Sequence, residues 1–246
     1  MKINIFDISA KYSEDTFLSV KHLGTDRLPK LFALKARVDV VCKSLPFVSA
    51  HPSDWVMQTV SRCFPKHLPV RILQYRDQYD HHLILKMSEQ GIAEAKAHLA
   101  SFFAEQDGAF FECDTQETAA AVLNRFAAAG AAMRYHTLYQ KDLGDLLSLD
   151  IALRRDDIDW LETLPESLQE QIEMKLYYGH FFCHVFHQDY ILKKGADPKK
   201  VKNSMLELLN KRGVKYLAEH NVGHLYEAEQ SLKEFYLTLD PTNTFN

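Results

Sequence analysis

The chain has 246 residues, is 46% hydrophobic and carries a net charge of -4, a composition that supports a sizeable core in one large domain or in a main domain with an appendage. No stretch approaches about eighteen apolar residues without a charge, and the N-terminus lacks the basic-then-apolar order of a signal peptide, so neither a spanning helix nor a secretory leader is expected. The four cysteines, Cys42, Cys63, Cys113 and Cys183, are widely spaced with no CxxC pair, which predicts reduced side chains in a cytoplasmic protein rather than a disulfide framework.

Charge is distributed unevenly. Residues 1–76 hold twelve Lys and Arg against six Asp and Glu, a net +6, whereas residues 77–246 hold seventeen against twenty-seven, a net -10. A basic first third suits an anionic surface, since each cation near an anionic bilayer contributes about 1 kcal/mol; a solvated face is the alternative. From Leu28 to Pro69, Lys30, Lys35, Arg37, Lys43, Arg62 and Lys66 interleave with Leu31, Phe32, Leu34, Phe47, Trp55 and Phe64, and five prolines predict only short helices. Such a mixture fits shallow interfacial insertion, with cations meeting lipid phosphate, or a short-helix appendage packed on the rest of the protein. Nucleic acid is not expected, because the net charge is negative and no binding motif is present.

Beyond Arg76 the pattern becomes that of an α+β domain. His82–Met87 reads as a strand, Gly91–Gln106 as a helix with apolar positions at Ile92, Ala95, Leu99, Phe102 and Phe103, and Ala109–Cys113 as a second strand. Asp114 or Thr115 then caps an Ala-rich helix running to about Ala128, with Glu117 favourably placed near its N-terminus. The aromatic-rich run from Met174 to Leu192 reads as strand, with a short buried helix as the other option. Asp197-Pro198 starts a helix with Val201, Met205, Leu208 and Leu209 on one face, and a last helix spans about Glu227 to Leu239, stopped near Asp240-Pro241. With nine glycines and no GxGxxG or Walker sequence, no self-contained nucleotide-binding domain is visible.

His180, His187, Glu219 and His220, with Asp189 and His224 nearby, form the one group that reads as chemistry. Imidazoles and a carboxylate suit zinc, or manganese with more oxygen ligands, and an unligated histidine accepts a proton near neutral pH. In a single strand, alternation puts His187 and Asp189 on one face and His180 and His184 on the other, so convergence of His180 with His187 needs a bulge or tight turn. In a helix, His180, His184 and His187 share a face. Aromatic packing with hydrogen-bonded histidines is the alternative to a site.

The runs RFAAAGAAMRY, LDIALRRDD, KLYYGHFFCHVFHQDYILKKG, AEHNVGHLY and DPTN resemble the C-terminal portion of bacterial FAD-dependent, quinone-linked D-lactate dehydrogenases, and the likeness extends over nearly the whole chain. That resemblance implies a flavin oxidoreductase of vanillyl-alcohol-oxidase type. Its cap would be an antiparallel sheet with flanking helices over residues 77–246, joined to a basic, short-helix membrane-binding segment over 1–76, with the N-terminal FAD domain missing. It implies D-lactate, a membrane quinone, an anionic phospholipid surface and the FAD domain as partners, on the cytoplasmic side of the bacterial inner membrane. Related 2-hydroxy-acid dehydrogenases carry a His-x6-His-x-Asn motif and a later Glu-His pair. Here His180, His187 and Glu219 match the metal ligands, for zinc or manganese, Asp189 stands in place of the Asn, and His220 matches the base that removes the lactate hydroxyl proton while hydride passes to flavin. The Gly-rich turn those relatives have between the two histidines is replaced by FFCHVF. Arg134, Arg154 and Arg155 are the expected sources of a fork for the substrate carboxylate. The chain by itself is expected to be inactive, with both ends truncated.

Overall fold

The structure, a computed structural model, describes residues 5–43, 52–216 and 229–242. The fold is α+β, and the chain divides into two compact units, Met1–Leu146 and Leu147–Asn246. The first is helical: α1 (Ile5–Tyr12), α2 (Glu14–Leu23), α3 (Leu28–Lys43), α4 (Pro52–Ser61), α5 (Val70–Gln78), α6 (Glu89–Glu105) and α7 (Thr115–Tyr139). Its centre is the α1–α7 pair. Ala127, Ala128, Ala131 and Ala132 of α7 are buried, and their small side chains let helix backbones approach closely. Ser9 donates to Asn124 and Ser13 to the Ala127 carbonyl, which sets the register of the pair. Leu68 and Ile72 close a small cluster with Ala10 and Ala121.

Several expectations are corrected in this unit. Pro29 sits in the first turn of the sixteen-residue α3, where its missing N–H is not needed, so the prolines do not keep every helix short. Residues 82–87 form no strand: Leu83, Ile84, Leu85 and Met87 are exposed and pair with no strand among the described residues. Residues 109–113 form no strand either; the Phe110 carbonyl accepts from the Tyr75 hydroxyl and the Glu112 carbonyl from Arg71. The Ala-rich helix begins at the predicted cap, Asp114 with Glu117 completing a capping box, but continues to Tyr139 rather than Ala128.

The second unit carries a four-stranded antiparallel sheet in the order β2-β3-β1-β4, built from β1 (Leu143–Ala152), β2 (Ile172–His180), β3 (Val185–Lys193) and β4 (Lys215–Tyr216). A one-turn helix, α8 (Glu166–Gln169), precedes β2, α9 (Pro198–Lys211) joins β3 to β4, and α10 (Gln230–Leu239) follows. One sheet face supplies Leu149, Ile151, Tyr190 and Leu192 to a core shared with Val201, Met205 and Leu209 of α9. This is the apolar stripe expected of that helix, started by Asp197 capping Lys199 and Lys200. The segment 174–192 is neither one strand nor a helix. A short 3-10 turn at Phe181–Cys183 and a left-handed His184 (φ 54°) fold it into the β2–β3 hairpin. Gly179 makes this possible: a Cβ there would lie 2.3 Å from the Val185 carbonyl oxygen and 2.9 Å from Phe186 Cα. The final helix agrees with its expected end at Asp240; its first predicted residues lie outside those described.

Candidate functional site

The hairpin decides which histidines meet. Tyr178 pairs with His187 and His180 with Val185 across the two strands, so His180 and His187 become diagonal neighbours on one sheet face. Their ring centroids are 6.0 Å apart, edge to face. The tight turn that convergence required is thus present without a Gly-rich linker. Tyr178 stacks on His187 at 4.8 Å, fixing its ring plane from one side. From the neighbouring strand β1, Asp150 Oδ1 lies 2.5 Å from His187 Nδ1, and Ser148 donates to Asp189 Oδ1 at 2.6 Å. Asp189 is buried, and burial holds its carboxyl above the usual range despite the Ser148 hydrogen bond. The result is a polar ladder, Ser148–Asp189 beside Asp150–His187, on the sheet face opposite the α9 core.

Ser148 and Asp150 were missed from sequence. The signal was present in Leu147-Ser148-Leu149-Asp150-Ile151, a strict alternation that puts both polar groups on one face of a strand. On the core face, Tyr177 and Tyr190 share a hydroxyl–hydroxyl contact of 2.9 Å, and burial pushes the Tyr177 phenol up to about 12. That network runs on through Gln188 and Glu162 to Arg212 and satisfies buried polar groups.

The remaining predicted residues are dispersed. Glu219, His220 and His224 lie outside the described residues, and among the described ones no cluster of three or more His, Cys, Asp or Glu is arranged for a metal ion. Arg134, on α7, is largely buried; it bonds Asp15 Oδ2 at 2.6 Å and Asp54 Oδ1 at 3.0 Å, and Lys35 reaches the same Asp54 oxygen at 2.7 Å. Arg154 is exposed and paired with Asp156, and Arg155 is exposed in the loop beyond β1.

The basic segment presents a second feature. Lys30, Leu34, Arg37, Val38 and Val41 are exposed at helical spacing along α3, as are Trp55, Val56 and Val60 on α4 and Arg62, Phe64 and Lys66 after it. Trp55 is 63% and Leu34 60% exposed. These helices are tied together by Ser53 donating to Asp39 and by Lys35 pairing with Asp54, which turns those acidic groups inward and leaves apolar and basic side chains outside. No helix among the described residues is long and apolar enough to cross a membrane.

The family described as "D-lactate dehydrogenase, membrane binding" matches residues 1–246. The chain belongs to this family. Among curated proteins it is similar to the quinone-dependent D-lactate dehydrogenases of Haemophilus influenzae, 54% identical over 98% of the chain, and of Escherichia coli, 50% identical over its full length. A third, from Corynebacterium glutamicum, is 42% identical over 98% of the chain. The chain spans 43% of the length of each relative. Within the membrane-binding D-lactate dehydrogenase family, this segment therefore combines the exposed α3 and α4 surface with the polar ladder of the sheet.

Proposed function

We propose that this segment is the C-terminal part of a respiratory D-lactate dehydrogenase, oxidising D-lactate to pyruvate with electrons passing through FAD to a membrane quinone. In this reading residues 1–76 dock the enzyme peripherally on the anionic cytoplasmic leaflet of the bacterial inner membrane, and residues 77–246 serve as a cap of vanillyl-alcohol-oxidase type over the substrate. The family match across all 246 residues carries the reading.

FAD, when bound, supplies the hydride acceptor. This chain has no Gly-rich phosphate loop, so its residues do not fit the FAD phosphates, and the reading assigns that task to the part of the relatives' length outside the segment. His220 takes the substrate hydroxyl proton as general base. For the substrate carboxylate, Arg154 and Arg155 are proposed first, since Arg134 would have to leave two buried aspartates to reach it. The family resemblance offers His180 and His187, whose rings lie 6.0 Å apart by centroid, as imidazole ligands of a zinc-class ion. Glu219 would be a further ligand. Such an ion supplies Lewis acidity toward the substrate's oxygen atoms.

The test joins this segment to the remaining part of one of the D-lactate dehydrogenase relatives it matches and measures D-lactate oxidation with a quinone analogue alongside binding to anionic vesicles. His220→Ala is expected to lower kcat/KM by about 10²–10⁴-fold with vesicle binding unchanged. Retained oxidation would remove His220 as the base. Vesicle binding by a protein that never oxidises lactate would leave a non-catalytic membrane module as the better reading, and stoichiometric zinc or manganese without either property would favour a free-standing metalloprotein.

A further inference from the structure

We propose that a groove between α2, α3 and α4 binds the ring of a membrane quinone, and that Asp15 at its floor favours the reduced, quinol form. The occupant rests on the functional reading above, since the relatives are quinone-dependent; the groove rests on the geometry of the helical unit alone. It encloses about 320 Å³ between Leu18 and Leu23 of α2, Leu31 of α3, and Met57 and Val60 of α4. That volume is at the lower end of the roughly 300–1,000 Å³ of small-molecule sites and suits a single substituted ring with the start of its tail. The walls are apolar, so a ligand needs few polar groups, and those few decide its identity.

Two observations point to this occupant. The first is a buried acceptor without a donor. Asp15 lines the groove and is only 4% exposed; its Oδ2 is held by Arg134, but its Oδ1 is buried with no hydrogen-bond partner among the described residues. The two hydroxyls that also line the groove are committed elsewhere, Ser19 donating to the Asp15 carbonyl and Ser61 to the Gln58 carbonyl. A ligand that brings a donor relieves the cost of that unmet oxygen. A quinol carries hydroxyl donors on an apolar ring, whereas a quinone carries only carbonyl acceptors and a carboxylate only accepts. A phospholipid acyl chain would cover the walls and leave Oδ1 unmet. The second observation is where the groove opens. Leu23, Val56, Val60 and Phe64 line it and are exposed, and Val56 and Val60 share α4 with Trp55, in the apolar and basic surface that docks on lipid in the functional reading. A mouth on that surface lets an isoprenoid tail stay in the bilayer while the ring enters the protein. His22 stands exposed beside the groove, and a neutral imidazole both donates and accepts, so it can bond a ring oxygen in either oxidation state.

The full chain in detergent micelles is irradiated with a short-tailed azidoquinone, and the labelled peptides are mapped by mass spectrometry. Adducts are expected within residues 15–23 and 56–64, suppressed by unlabelled decylbenzoquinol at concentrations where decanol has no effect. Adducts confined to other segments overturn the site, and equal protection by decanol overturns the quinone in favour of any alkyl chain. Val60→Trp, at a half-exposed wall position, is expected to abolish labelling in a protein that keeps its helical circular dichroism; undiminished labelling overturns the groove. Wild type is expected to be protected by the quinol at lower concentration than by the corresponding quinone, and an equal or reversed order overturns the role of Asp15 without any variant. Asp15→Asn keeps an oxygen for Arg134 and offers the groove an amide donor, so the preference for quinol over quinone is expected to fall about 10–100-fold, the range for a hydrogen bond to a charged group. None of these measurements needs flavin or lactate. A joined protein that never oxidises D-lactate would therefore remove the dehydrogenase reading, whereas absent labelling would remove the quinone groove, and the two failures are distinguishable.

Discussion

Arg134 bears a charge that two buried aspartates require. Its guanidinium bridges Asp15 on α2 and Asp54 on α4, and removing it would leave both carboxylates buried without that partner. Arg134→Ala is therefore expected to destabilise the protein by about 3–5 kcal/mol in urea unfolding; a stable variant with a raised KM for D-lactate would instead point to carboxylate recognition. Gly179 is constrained by space. Gly179→Ala forces a methyl against the Val185 carbonyl and Phe186 Cα, and a cost of about 1–3 kcal/mol is expected, read as a lowered Tm. At this scale the types of His180 and His187 were legible, as was their candidate chemistry. Asp150 and Ser148 were not, because their meaning comes from cross-strand neighbours thirty-seven and forty-one residues away.

Among the elements, α7 was the most legible at its start and least at its end. Asp114 accepts from the Glu117 N–H while Glu117 accepts from the Asp114 N–H, a local pattern that needs no tertiary information. Asp114→Ala is expected to cost about 1 kcal/mol by chemical denaturation. Glu117 is also held by Arg71, whose hydrogen bond is the largest cause keeping its carboxyl below the ordinary value of 4.5. A depressed folded-state value means the stabilisation is fully present above about pH 4.5 and is lost as pH falls through the lower folded value. Glu117→Gln should thus be less stable than wild type near neutrality, with the difference shrinking as pH drops below 4.5, measured as Tm across pH. Where the helix continues past Ala128, burial of Ala131 and Ala132 sustains it, which composition alone does not reveal. The strands expected over 82–87 and 109–113 failed for the complementary reason: β-propensity becomes a strand only where a neighbour supplies the ladder.

For the molecule as a whole, the prediction concerns its surface. If the α3 and α4 face docks on lipid, Arg37→Gln and Arg62→Gln should each weaken binding to anionic vesicles about fivefold at low salt, following about 1 kcal/mol per cation, and the deficit should fade as ionic strength rises. Trp55→Ala should weaken binding by an amount that salt does not remove, because its contribution is apolar; co-sedimentation across a salt series separates the two. The sequence by itself determined the α+β class, the basic bias of residues 1–76, the caps of α7 and α9 and the family, since each is written in composition, local periodicity or long specific runs. Only the tertiary structure decided that α3 extends through sixteen residues behind Pro29, that the aromatic run folds back as a hairpin, and that His187 meets Asp150. Those outcomes depend on which distant backbone or carboxylate comes within hydrogen-bonding reach, and short-range patterns along one strand carry no record of the partner across the sheet.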